Sequence, residues 1–378
     1  MPSAETFHAF GRDYSLQRYP LSKDNALRAW DAADEYLLNT LQEQQINLSE
    51  VCIINDNFGA LTLPLAAYNP LCYGDSWLSR EALLRNLKLN QLDQGIHFEP
   101  FLEAFTSRPN TSRYIIGRIP KSKRQLAYLL QHLNRWACDD CTLLLAGMDK
   151  HLTRGQFDLL AKYFGPARFY PGVKKARIWE AKVDKTLHPP IIEADQLSLP
   201  ALGLHLKSAA NVFSPDKLDI GTRFFLDNFK QLPARTKVAD LACGNGILGL
   251  CYLRLHPASE LSFIDESFQA IQSTQNNILS NMPEAKTYAQ AGDGLTDFAD
   301  QQFELILCNP PFHLQHTVST DIAHQLFHDA RRCLKSDGQF WVVANRHLDY
   351  HKTLKRIFGN ARVSASNQKF VILNSVKI

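Results

Sequence analysis

Short apolar runs alternate with stretches of helical spacing along the whole chain, and no other feature restricts the possible folds as strongly. VCII (51–54), YIIGRI (114–119), CTLLLAG (141–147), LSFID (261–265), FELILC (303–308), QFWVVA (339–344) and FVILNSV (370–376) read as buried strands. Helical spacing marks Arg80 to Leu92, Gln125 to Trp136, Phe268 to Leu279 and Ile322 to Leu334. Strands alternating with helices predict an α/β fold with a mostly parallel sheet covered on both faces. The pattern also repeats. FGPAR (164–168) matches FGNAR (358–362), AGMDKHL matches VANRHL, and HLNRWACDDCTLLLAG echoes DARRCLKSDGQFWVVA. Asp75 followed by Asn86 corresponds to Asp265 followed by Asn276. Two tandem, duplicated domains are therefore expected at 1–185 and 200–378, joined by an extended connector at 186–199 where paired prolines interrupt any periodicity.

A length of 378 residues suits two or three domains. Eight cysteines in such a chain are no disulfide framework. No apolar run reaches the roughly 18 residues of a membrane span, and MPSAETFHAFGRDYSLQRYP does not read as a secretory signal. A cytoplasmic protein that does not engage a membrane is expected. Net charge is only +3, but residues 1–100 hold 7 Lys+Arg against 13 Asp+Glu, whereas 101–200 hold 16 against 9. That basic block includes Arg118, Lys121, Lys123, Arg124, Lys174 and Lys175, which could line a phosphate-binding face or form a solvated surface.

The chemistry concentrates in the second half. In VADLACGNGILGL (238–250) an apolar run ends at Asp240, then Gly244 and Gly246 bracket Asn245 before a helix. Glycines there allow a tight turn and leave room for a ligand at the helix N-terminus. Asp265, at the end of the next strand, can accept both hydroxyl protons of a ribose or cap a helix. Gly244, Gly246 and Gly249 also fit a dinucleotide fingerprint, so this segment alone leaves nicotinamide binding open. AGD (291–293) then offers a carboxylate suited to an adenine amino group. CNPPFH (308–313) follows a strand, where α/β sheets place ligands. The Asn309 side-chain oxygen and the Pro310 carbonyl can accept hydrogen bonds from a planar NH2 group, and Phe312 offers a stacking surface.

Taken together, D-x-A-C-G-N-G, Asp265, AGD and NPPF resemble the class I S-adenosylmethionine-dependent methyltransferases, which implies a Rossmann-like fold. A degenerate half fused before an intact one, with NVFSPDKLDIGTRFFL (211–226) and NPPFH, resembles the bacterial rRNA guanine-N2 methyltransferases. The tail VANRHLDYHKTLKRIFGNARV is similar to the branch acting on large-subunit (23S) rRNA. The resemblance implies S-adenosyl-L-methionine as cofactor and 23S rRNA, or a large-subunit assembly intermediate, as partner of a monomer. It implies Asp240, Ala242, Gly244 and Gly246 at the methionine end, Asp265 at the ribose, with Glu266 a second candidate, and Gly292 and Asp293 at the adenine. Phe213, Ser214 and the Asp219–Gly221 turn would close the pocket, while Asn309, Pro310 and Phe312 hold the base. A 16S rRNA guanine-N2, adenine-N6 or protein glutamine methyltransferase is the alternative in class. A nicotinamide oxidoreductase and a non-catalytic RNA-binding protein are the alternatives outside it.

The first half departs from this pattern. INDNFGAL (54–61) has only Gly59, and IPKS (119–122) has Lys121 in place of the aromatic and no Asn before the proline. It should bind neither cofactor nor target amine, and could serve RNA binding through its basic segment or simply support its neighbour. Cys138-Asp-Asp-Cys141 has C-x-x-C spacing but no second ligand pair, so a turn is the expected reading. His313 and His316 suit phosphate contact or loop packing better than proton transfer.

Overall fold

The chain divides into two compact units, Met1–Glu193 and Ala194–Ile378. The computed structural model describes residues 4–21, 27–92, 95–101, 105, 110–212, 218–310 and 316–378, with side chains in the last stretch from 322 onward.

The first unit opens with a hairpin, β1 (Glu5–Ala9) and β2 (Arg12–Leu16). It continues through α1 (Ala32–Glu43), β3 (Val51–Ile54), α2 (Thr62–Leu65), β4 (Leu71–Gly74), α3 (Trp77–Leu89), β5 (His97–Pro100) and β6 (Tyr114–Arg118). Then come α4 (Lys123–Trp136), β7 (Thr142–Met148), α5 (Arg154–Tyr163), β8 (Ala167–Phe169) and β9 (Ala176–Lys182). Its seven-stranded sheet has the order β5-β4-β3-β6-β7-β9-β8, with β9 antiparallel to both its neighbours.

The second unit repeats this plan. The hairpin is β10 (Asp195–Leu199) with β11 (Leu204–Ser208), followed by α6 (Ile220–Asp227), β12 (Lys237–Leu241), α7 (Ile247–Leu255), β13 (Glu260–Asp265) and α8 (Phe268–Asn281). After them come β14 (Thr287–Ala291), β15 (Phe303–Cys308), α9 (His316–Cys333), β16 (Leu334–Asn345), α10 (Tyr350–Phe358), β17 (Arg362–Ser366) and β18 (Phe370–Val376). The order β14-β13-β12-β15-β16-β18-β17 is the same permutation, so the expected duplicated α/β architecture is the observed one.

The apolar runs are explained by burial on two faces. Along β15, Leu305 and Leu307 enter one core while Ile306 and Cys308 enter the other, so alternate positions are equally apolar. Several helix starts are set by capping oxygens. Helix α3 begins at Trp77, ahead of the expected Arg80, because the Ser76 hydroxyl accepts the Ser79 N–H at 3.1 Å. Strand β16 starts at Leu334, well before the expected Gln339, and passes a register irregularity against β15. The C-x-x-C segment is a turn, with the Cys141 N–H donating to the Cys138 carbonyl at 3.1 Å. Its counterpart Lys335–Gly338 lies within β16.

The expected connector ends in structure: Asp195–Leu199 is strand β10 and pairs antiparallel with Leu204–Ser208. Both hairpins are gripped the same way. On α8, Asn277 donates to the Lys207 carbonyl and accepts its N–H, and Asn281 does the same for His205. On α3, Asn86 and Asn90 treat Gln17 and Ser15 identically. The partner of Asn86 is therefore Asn277, not Asn276, because residues four apart share a helix face and only this register aims both amides at the hairpin.

Candidate active site

Strands β12, β13, β14 and β15 run parallel, so their carboxyl ends gather at one edge. The order reverses between β12 and β15, which is where such sheets bind ligands. Four segments meet there: the loop after Leu241, Asp265, Gly292–Asp293 and Asn309–Pro310.

The loop after β12 has left-handed φ at Ala242 (60°), Gly244 (59°) and Gly246 (81°). It is held at many points. The Cys243 N–H donates to the Ile264 carbonyl at 3.0 Å, and the Gly246 N–H to that of Cys243 at 2.9 Å. The Thr274 hydroxyl donates to the Gly244 carbonyl at 3.0 Å, and the Asn277 amide to that of Asn245 at 2.9 Å. Asn245 in turn reaches the Ser208 hydroxyl at 2.9 Å. The glycines divide their work. Among the described residues, a Cβ at Gly244 would meet nothing nearer than Val212 at 3.8 Å, and one at Gly292 nothing nearer than Gln290 at 3.9 Å, so neither is needed for close packing. A Cβ at Gly249 would strike Phe263 at 2.3 Å, so that glycine serves helix-to-sheet packing.

Asp265 anchors this loop. Its Oδ2 accepts the Gly244 N–H at 2.9 Å and its Oδ1 the Ser267 N–H at 3.0 Å. The cap of α8 is Ser267, which accepts the Ala270 N–H at 3.1 Å. Burial raises the Asp265 pKa. Asp240 is fully buried and ties strand to helix, accepting the Gly249 N–H at 2.8 Å, while its Oδ1 has no partner among the described residues. Burial, and then the nearby Asp265, push its carboxyl up to about 8, which favours the neutral form. Asp293 is buried and accepts the Gln325 amide at 2.9 Å. Glu266 is exposed.

Asn309 leaves β15 with its amide held on one side only. Its Nδ2 donates to the Thr222 hydroxyl at 2.9 Å, while its Oδ1 is buried without a hydrogen-bond partner among the described residues. A buried amide oxygen left unsatisfied costs about 1–3 kcal/mol, which a ligand N–H would recover. Pro310 is buried beside it. Phe213, Ser214, Phe312 and His313 lie outside the described residues, as does the side chain of His316. Of the Asp219–Gly221 turn, Asp219 caps α6 and accepts the Thr222 N–H at 2.9 Å. Thr222, Thr274, Asn277 and Ser208 were not singled out from sequence. The only signal for any of them was the asparagine pair spaced by four on one helix in each half.

The cysteines near the site are buried, and burial pushes the thiols of Cys243, Cys251 and Cys308 up, that of Cys251 to about 12. They are packing groups and poor nucleophiles.

Strand register shows how the first unit lost each of these features. Ile54 pairs with Tyr73 as Leu241 pairs with Ile264, so Gly74, not Asp75, occupies the place of Asp265. A Cβ at Gly74 would meet the Phe98 ring at 2.8 Å, so an aromatic side chain fills the space where the second unit has the Asp265 side chain. Asn55, with φ 54°, and Gly59, with φ 91°, keep the backbone of Ala242 and Gly246, but Asn57 replaces Gly244. Arg18 lies over the Phe58 ring at 4.5 Å, where unit two has Ser208 on Asn245. Arg118 occupies the place of Asn309. Both its nitrogens pair with Asp31, at 2.6 and 2.7 Å, and one with Asp34 at 2.8 Å. Burial pushes the Asp34 carboxyl up to about 6 even beside that guanidinium.

Arg118 is therefore not part of a free basic face. Lys121 and Lys123 are exposed, and Arg124 donates to the Glu193 carbonyl at 2.8 Å. Desolvation, then Lys150 and Arg118, hold the Lys121 amine below its usual pKa, so these cations share one neighbourhood. Lys174 pairs with Glu35 at 3.0 Å, and Lys175 is exposed beside it on a turn.

Comparison with known proteins assigns a family to each unit. Residues 4–185 match the RLMG N-terminal domain family and residues 203–374 the methyltransferase small domain family. The ribosomal RNA large subunit methyltransferase G of Yersinia enterocolitica is 38% identical over 370 residues, covering 97% of this chain and 93% of that protein. Its Yersinia pseudotuberculosis namesake is 38% identical over 365 residues, covering 96% and 92%. The solved T. thermophilus 16S rRNA N2 methyltransferase RsmC, in complex with AdoMet and guanosine, superposes with a TM-score of 0.78 at 18% identity, covering 99% of this chain and 98% of that one. That likeness establishes the shared two-unit fold. Identity across nearly the full length, with one family spanning each unit, decides the assignment: the chain belongs to the family of the ribosomal RNA large subunit methyltransferase G proteins.

Proposed function

We propose that this chain is the 23S rRNA guanine-N2 methyltransferase of its cell, acting in the cytoplasm as a monomer on free rRNA or an assembling large subunit. Membership of the family makes it an rRNA methyltransferase that uses S-adenosyl-L-methionine. Among the described residues no helix is long and apolar enough to cross a membrane. The observation that carries the amine-methylation reading is the Asn309 Oδ1, buried at the carboxyl edge of the sheet without a hydrogen-bond partner among the described residues, and the duplicated half favours guanine-N2 over adenine-N6 or glutamine. An acceptor there suits an exocyclic amine.

The pocket residues fit the cofactor. Gly244 and Gly292 leave space, Asp265 is held rigidly to accept ribose hydroxyls, and Asp293 lies beside Gly292 on the adenine side. S-adenosylmethionine supplies an electrophilic methyl group. The guanine amino nitrogen is a poor nucleophile because its lone pair is delocalised into the ring. Asn309 Oδ1 and the Pro310 carbonyl would accept hydrogen bonds from its two N–H groups and favour a pyramidal nitrogen, whose lone pair is less conjugated with the ring and can point at the methyl group. Phe312 would stack on the base, which must be unpaired or flipped out. Once methylated the nitrogen is strongly acidic, so water can take its proton and no dedicated base is needed. That accords with the inert thiols around the site.

Mass spectrometry of both rRNAs from cells lacking the protein tests the assignment. One N2-methylguanosine should disappear from 23S rRNA and return with the wild-type gene. A loss confined to 16S rRNA, to N6-methyladenosine or to a protein glutamine would replace the reading with that substrate.

The first unit, with its cofactor and amide positions filled, would contact RNA through Lys121, Lys123, Arg124, Lys174 and Lys175. Neutralising Lys121, Lys123 and Arg124 together should weaken RNA binding and reduce the slope of log affinity against log salt by about 2 to 3. An unaltered slope would leave this unit a scaffold.

A further inference from the structure

We propose that Thr222 is a positioning residue that fixes which end of the Asn309 amide faces the target base. The inference rests on the base-holding role given to Asn309 above. The two ends of an amide are nearly the same size, and only one of them can accept a hydrogen bond from a guanine NH2. Rotation by half a turn would present a donor to a donor. The pocket must therefore discriminate between the ends, and the described residues show how.

Asp219, the cap of α6, is an acceptor when ionised, and its Oδ2 takes the Thr222 N–H at 2.9 Å. The Thr222 hydroxyl lies 3.4 Å from the same oxygen and directs its proton there. The hydroxyl oxygen is left to accept, and only the NH2 end of Asn309 can donate to it, at 2.9 Å. A chain running carboxylate, hydroxyl, amide thus has one polarity, and it ends on an Oδ1 that has no hydrogen-bond partner among the described residues. Thr222 is buried, at 6% exposed, so its hydroxyl is shielded from bulk water.

The first unit supplies an internal comparison. Asp31 caps α1 as Asp219 caps α6, which puts Asp34 in the place of Thr222 and Arg118 in that of Asn309. These two also touch, Nη1 to Oδ1, at 2.8 Å. Where the amide is gone the hydroxyl is gone with it, and the contact has been rebuilt as an ion pair. The two positions act as a couple.

Four variants test this: Thr222→Val, which keeps the shape and removes the hydroxyl, Thr222→Ser, which restores it, and Asn309→Ala with and without Thr222→Val. Methyl transfer to 23S rRNA is measured as kcat and KM, and S-adenosylmethionine affinity by calorimetry. T222V should lower kcat by about 10-fold or more, with cofactor affinity unchanged within about 2-fold, and T222S should recover most of the loss. Added to N309A, T222V should cost nothing further, because the group it orients is absent. T222V with wild-type kcat overturns the inference. So does a loss matched by weaker cofactor binding, or one that multiplies fully with that of N309A. If N309A itself turns over normally, the base-holding role fails first, and that outcome is distinct from an inactive N309A beside a normal T222V.

Discussion

Replacing Asn309 by alanine should lower methyl transfer by about 100-fold or more while leaving S-adenosylmethionine affinity nearly unchanged. The size follows from what the side chain would do. Its Oδ1 is buried and without a hydrogen-bond partner among the described residues, and a hydrogen bond formed there that strengthens as the amine loses conjugation would lower the barrier directly. The selectivity for rate follows from its neighbours. Asn309 hydrogen-bonds to Thr222, whereas the glycine loop is fastened by Asp265, Thr274 and Asn277. Removing the amide leaves that loop intact. Single-turnover assays with calorimetry on the same preparation separate the two effects. Turnover within a few-fold of wild type would remove Asn309 from the chemistry.

Asp265→Ala should act in the opposite sense, with cofactor binding suffering first. Hydrogen bonds to a charged group contribute about 1.5–3 kcal/mol, so losing the ribose acceptor should weaken affinity by roughly 10- to 100-fold. The Gly244 and Ser267 N–H groups would lose their partner as well, so the loop would loosen and the melting temperature fall. The same carboxyl gives binding a pH dependence of known sign. The ionised form accepts from the ribose, and burial raises its pKa, so affinity should decline on acidification at higher pH than an ordinary exposed carboxylate would produce. Asp265→Asn should bind weakly and without that decline. Wild-type affinity in the alanine variant, measured by calorimetry, would take Asp265 out of the pocket.

Much of this was legible in the residues because the signals were local. Continuous apolar runs such as VCII and FELILC mark strands buried on both faces, and these two have the observed ends. The glycine loop announces itself because left-handed backbone is needed at fixed spacing, and the duplication shows in FGPAR and FGNAR. Features that depend on register were not legible. Asp75 looks like the equivalent of Asp265 when strings are aligned by eye, yet pairing between strands gives that place to Gly74. Strand β10 hides in a polar, proline-flanked stretch because its alternation, Leu197 and Leu199 inward, covers only five residues. Thr222 and Asp34 are invisible as a pair of equivalents until α6 and α1 are packed against their sheets. A side chain whose role is to orient another leaves no motif.

The asparagine fastenings on α3 and α8 have a wider consequence. They persist in a half where Gly74, facing the Phe98 ring, stands in the place of Asp265 and Arg118 in that of Asn309. Whatever both copies still share is what the scaffold demands, and whatever only the later copy holds is what the chemistry demands. One molecule thus carries its own control experiment, and subtracting the earlier half from the later one isolates the working parts without recourse to any relative.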